Sequence, residues 1–176
     1  MRSKWLWAVA AVAVGGAFYA GSVFATPATG GQQTTILAKS TFDSLNLNGY
    51  QLSSTPGPLG TSRPNLWLSS IKTFGQSDLY VVDNKFPPGA TTGWHSHPGP
   101  SIIFVVAGSI TNYHSDDPSC QGQTYSAGSG FVDAGGSDEH ILRNEGSVTA
   151  ETIAVQFLPK DAARRIDEPD PGNCHF

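Results

Sequence analysis

The chain has 176 residues, 20 of them glycine and 12 proline, with 14% charged residues and a formal net charge of −4. That length suits one domain with a sizeable core, and the Gly and Pro content calls for many turns between short elements. No Lys/Arg cluster occurs anywhere, which excludes a basic nucleic-acid-binding surface.

At the N-terminus, Arg2 and Lys4 precede an uncharged, mostly apolar stretch from Trp5 to Ala25. Val23-Phe24-Ala25 has the small-x-small form read by a signal peptidase, so residues 1–25 read as a targeting segment. The stretch is also long enough to stay in a bilayer as a signal anchor. Either reading puts the remainder outside the cytoplasm, as a secreted or periplasmic domain or one tethered by its N-terminus. Losing Arg2 and Lys4 removes two positive charges from a net −4 and leaves −6, further from any anionic partner.

Residues 26–65 read as a linker followed by an irregular arm. Thr34–Ser44 carries a weak edge-strand pattern, and Leu45–Pro64 holds Pro56, Pro58 and Pro64 among three glycines. From Leu66 onward the β signal strengthens, through Leu66–Thr73 and Leu79–Phe86. Ile102–Ala107 reads as a buried strand, and Ser109–His114 follows Gly108 directly as its expected hairpin partner. Tyr125–Asp133, His140–Asn144 and Thr152–Leu158 complete eight or nine short strands between Gly/Pro turns. Long helical periods are scarce, so the fold class is all-β, a sandwich or a barrel. The barrel is placed at residues 66–158 and a C-terminal tail at 159–176.

Cys120 and Cys174 are the only cysteines. An oxidising compartment favours a disulfide between them over two free thiols. In the chain-entropy model, closing that loop contributes roughly 4 kcal/mol, and it would tether a tail with little means of ordering itself.

The stretch Gly89–Gly108 holds His95 and His97, one residue apart. On a strand, i and i+2 share a face, so both imidazoles can aim at one point; the plain alternative is a pair of polar residues in a Gly/Pro loop. His140 follows the Gly135-Gly136 turn. If its strand lies beside the one carrying His95 and His97, three neutral imidazoles converge into a facial set for a transition metal. His114 and His175 have no spacing partner and read as structural or surface residues.

These residues resemble the cupins. Gly89, His95, His97 and Gly108 stand at the spacing of the first cupin motif, with Ser101 in place of its glutamate. His140 and Asn144 fit the second motif, in which Ser137 and Gly135 take the glycine and proline positions. The resemblance covers about Leu66 to Leu158 and extends to exported, single-domain bacterial cupins. It implies an antiparallel jelly-roll barrel with a divalent transition metal (Fe, Mn, Ni or Zn) in its mouth, held by His95, His97 and His140.

A serine hydroxyl cannot replace a carboxylate as ligand, so the set implied is three histidines, as in cupin dioxygenases acting on thiols, diketones or ring-cleavage substrates. Asp133 is a candidate acceptor supporting a histidine from behind. Glu139 and Arg143 should face outward, and Trp94 walls the pocket or packs the barrel end. The functional reading is an exported metal-binding cupin acting as a small-molecule oxidoreductase or dioxygenase. Its alternative is a non-catalytic cupin binding a carbohydrate-like ligand or a metal. The expected partner is a small molecule, with a homodimer as a further expectation.

Overall fold

The computed structural model describes residues 25–56 and 64–176. The stretch read as a targeting segment, but for Ala25, lies outside the described residues. Twelve strands follow in chain order: β1 Gln33–Phe42, β2 Asn46–Pro56, β3 Pro64–Lys72, β4 Ser77–Phe86, β5 His95–Ser96, β6 Ser101–Ala107, β7 Ser109–His114, β8 Gln123–Ser126, β9 Gly130–Asp133, β10 His140–Arg143, β11 Ala150–Pro159 and β12 Ile166–Asp167. Among the described residues there is no helix long and apolar enough to cross a membrane.

One five-stranded sheet runs β1-β4-β11-β6-β9 and a second runs β12-β5-β10-β7-β8, while β2 and β3 pair only with each other. Every pairing is antiparallel. Both large sheets contribute to the main core, which includes Val82, Phe86, Val105, Ile110, Leu142 and Leu158. This is the antiparallel jelly roll that the motif spacing implies. Alternation explains its inner surface: Ser101, Ile103 and Val105 of β6 are buried while Ile102, Phe104 and Val106 are exposed. Along β11, Ala150, Thr152, Ala154, Gln156 and Leu158 point inward. Burying a side chain such as Phe86 or Leu158 stabilises the fold by about 1.5–3 kcal/mol.

Three sequence expectations are corrected. β7 is not the hairpin partner of β6: β6 pairs with β11 and β9, whereas β7 pairs with β10 and β8 in the other sheet. Gly108 (φ +63°) is therefore a corner where the chain changes sheets, and a Cβ there would sit 2.8 Å from the Thr149 carbonyl oxygen. The stretch read as irregular contains β2, which pairs with β3, the strand expected from Leu66, in a two-stranded ribbon that exposes Leu47, Tyr50 and Leu68. The start of the barrel also moves, because β1 lies within 26–65 and pairs along β4, whereas β3 pairs with neither large sheet.

The tail at 159–176 is tethered by the Cys120–Cys174 disulfide. Its β12 pairs with β5, and Asn173 Nδ2 donates to the carbonyls of His114 (3.0 Å) and Asp117 (2.6 Å).

Candidate metal centre

His95 and His97 lie on and just after β5, and His140 opens β10. Register sets His140 directly opposite His95, so the strand adjacency on which convergence depends is present. All three rings are buried, and one ligating atom from each lies within 4.8 Å of the others. The i, i+2 spacing and one long-range pairing thus build a triad in the barrel mouth.

Hydrogen bonds select the nitrogens that face inward. His95 Nδ1 lies 3.0 Å from the Gly93 carbonyl and His97 Nδ1 lies 2.7 Å from that of Arg164. Each carbonyl can only accept, which assigns the proton to Nδ1 and leaves the Nε2 lone pair free. His140 has a buried Nδ1 without a hydrogen-bond partner. Burial lowers the His97 pKa to about 4 and the His140 pKa to about 3, and it holds His95 well below the usual imidazole value with help from His140. Three neutral imidazoles with free lone pairs fit a first-row transition metal.

Asp133, at the end of β9, is buried beside this triad, with Oδ2 3.7 Å from His97 Nε2. The contact is not an ion pair: burial raises the carboxyl to about 6 while His97 is lowered to about 4. The carboxyl is thus ionised only where the imidazole is already neutral. Asp133 Oδ1 accepts from the Gly135 amide at 2.7 Å, and Oδ2 has no hydrogen-bond partner.

Ser101, at the expected glutamate position, is buried and accepts from Gln156 Nε2 at 3.2 Å. Gln156 Oε1 in turn accepts from Arg164 Nη1 at 3.1 Å. With the His97 Nδ1 proton given to Arg164, the 3.3 Å approach of Gln156 Nε2 to that nitrogen sets donor against donor and is no hydrogen bond. The triad, Asp133, Ser101, Gln156, Arg164 and Arg165 all line one cavity of about 120 Å³, small beside the ~300–1,000 Å³ of sites for drug-sized ligands.

Other expected positions sort cleanly. Trp94 packs with Ile141 and Cys174 at the barrel end and does not line the cavity. Arg143 stacks on Phe176, with its guanidinium carbon 3.8 Å from the ring centre, a structural role. His114 bonds Asp138 at 2.9 Å, and His175 is exposed. Gln156, Arg164 and Arg165 were not anticipated from the sequence. Only Gln156 left a signal, as a long amide side chain in the apolar run Ile153–Leu158 of β11.

No family model matches the chain, and no curated protein matches it. Among solved structures it is similar to an oxalate oxidase (21% identity, TM-score 0.43), covering 51% of this chain and 45% of that one. It is also similar to a cupin domain from Bordetella pertussis Tohama I (20%, TM-score 0.39; 45% of this chain, 80% of that one). A third likeness is to the polyketide cyclase RemF from Streptomyces resistomycificus (18%, TM-score 0.43; 53% and 64%). The chain thus spans less than half the length of the oxalate oxidase.

Proposed function

We propose that this barrel, a cupin jelly roll by its strand order and the seat of its histidines, is an exported metal-dependent oxidoreductase acting on a small anionic molecule. The reading rests on one observation: three buried, neutral imidazoles converge on a cavity whose positive groups, among the described residues, are two arginines of the tail. A divalent transition metal bound there supplies Lewis acidity and open coordination positions. The protein's share is orientation and exclusion of water. The Gly93 and Arg164 carbonyls fix two rings, and the apolar walls Phe86, Ile103 and Leu142 dry the site.

Arg164 supports the anionic preference. Its guanidinium reaches the cavity, donates to neutral Gln156 and has no carboxylate partner among the described residues. Burial lowers its pKa from the ordinary arginine value, and an anionic ligand would relieve that cost. Export is supported by the disulfide, since such bonds persist mainly in oxidising compartments.

Metal analysis of the purified chain, alongside His97→Ala and His140→Ala, tests the centre. The expected result is about one equivalent of a divalent transition metal in the wild type and a large loss in both variants; a metal-free wild type that takes up none on incubation would sink the proposal. Oxygen uptake across thiols, diketones and phenols then separates the oxidoreductase from a binding module, which would hold metal and ligand without consuming oxygen.

A further inference from the structure

We propose that Asp133 supplies the carboxylate ligand that the first motif lacks, so that His95, His97, His140 and Asp133 together hold the metal. The inference rests on the three-histidine reading of the centre and deepens it.

The starting point is the register between β6 and β9. Ser101 occupies the motif's glutamate position, and its direct partner across the strand pair is Asp133. Residues opposite one another on neighbouring strands project to the same face. A carboxylate absent from β6 is therefore present one strand over, on the same inner surface. Both side chains are buried there and both line the cavity. Serine is short enough to leave the space a glutamate would fill, and aspartate arrives from the side to use it.

The polar groups around Asp133 leave it one oxygen to spare. Oδ1 is held by the Gly135 amide, which fixes the carboxylate plane. Oδ2 is buried with no hydrogen-bond partner, an arrangement uncommon enough in proteins to need a cause. It lies 3.7 Å from His97 Nε2, the nitrogen that the Arg164 carbonyl leaves as the donor. Ligand atoms ~2.1 Å from one tetrahedral ion sit ~3.4 Å apart, so the observed approach is close to that of two ligands sharing an ion. A carboxylate oxygen of Asp133 also lies within 4.8 Å of a His140 ring nitrogen, with an Asp138 oxygen inside the same span, so His140 is the member shared between the triad and the carboxylates. The competing role, supporting a histidine from behind, is closed at His95 and His97, whose outer nitrogens already bond backbone carbonyls. It is open only at His140 Nδ1.

Cobalt(II) titration of wild type, Asp133→Asn and Asp133→Cys separates these roles. A ligand predicts that Asp133→Asn weakens metal affinity more than ~100-fold, beyond the 10–100-fold that loss of a supporting partner costs. It also predicts that cobalt-loaded Asp133→Cys, with the native disulfide verified intact, gains an intense near-ultraviolet thiolate-to-metal band absent from the wild type. Infrared difference spectra, loaded minus metal-free, give a readout without the cysteine variant: a carboxylate stretching pair in the wild type should vanish in Asp133→Asn at saturating metal. A wild type that binds cobalt, paired with Asp133→Asn within 100-fold of it or with an unchanged infrared difference, overturns the ligand and leaves the histidine centre standing. A wild type that binds none overturns both.

Discussion

Arg164 links the two halves of the centre through opposite ends of one residue. Its backbone carbonyl orients His97 and its side chain reaches the cavity by way of Gln156. Truncating the side chain should therefore spare the metal and weaken the ligand. Arg164→Gln is expected to retain the wild-type metal stoichiometry while acetate binding, measured by calorimetry, falls at least about tenfold, the lower range for a charge-assisted hydrogen bond of ~1.5–3 kcal/mol. Acetamide, which lacks the charge, should not distinguish the two proteins.

The same residues set a pH dependence. In the metal-free protein His95, His97 and His140 have folded pKa values below 6.5, so under acid the unfolded chain binds protons that the folded one refuses. Their contribution is retained above about 6.5 and lost as pH falls toward about 4. Asp133 acts in the opposite direction between about 6 and 3.8, where its raised pKa makes the folded state the better proton acceptor. Three groups outweigh one, with Arg164 and Arg165 adding to the cost of charging a ring. The melting temperature of the metal-free protein should therefore fall between pH 6.5 and 4, with His140→Ala showing a shallower decline.

Among the elements, β6 and β11 were legible in the sequence as apolar, β-branched runs between Gly/Pro turns rather than by alternation, since the outward residues Ile102, Phe104 and Val106 of β6 and Ile153, Val155 and Phe157 of β11 are apolar too. β10 hides its period: Ile141, between the inward His140 and Leu142, is covered by Trp94 and Cys174, so three successive residues are buried. Of the β2–β3 ribbon only β3 was legible, from its alternation after Leu66; the stretch holding β2, with its prolines and glycines, read as irregular chain. The histidine triad was legible because strand geometry fixes i and i+2 and only one further residue had to be placed. Arg164 and Arg165 were not, since they reach the cavity through a two-residue strand and a disulfide rather than through any periodic pattern. Gly108 looked like a hairpin turn because a glycine between two β runs is the same signal for a turn and for a corner. Its positive φ and the close Thr149 carbonyl predict that Gly108→Ala destabilises by about 1–2 kcal/mol, measurable as a lower urea midpoint with an unchanged slope.

At the scale of the whole molecule, the disulfide fastens the tail over the end of the barrel, where Trp94, Ile141 and Cys174 form a small second core with Tyr113 and Cys120 packed against it. Its removal loosens the chain at both levels, packing and chain entropy. Cys120→Ser/Cys174→Ser should be less stable by about 2–5 kcal/mol, read from chemical denaturation under conditions that leave the wild-type bond oxidised. A variant as stable as the wild type would show that β12 and the Asn173 hydrogen bonds suffice to hold the tail.

The tail also reaches the centre through its backbone. His140 is positioned through β10 within the barrel and His95 through Gly93 and its pairing with both β10 and the tail strand β12, while the ring of His97 is steered by a carbonyl that belongs to the tail. The Cys120–Cys174 bond, the β12–β5 pairing and the Asn173 hydrogen bonds together hold the tail that carries this carbonyl, so a change that frees the tail would unsteer the His97 ring without touching any histidine.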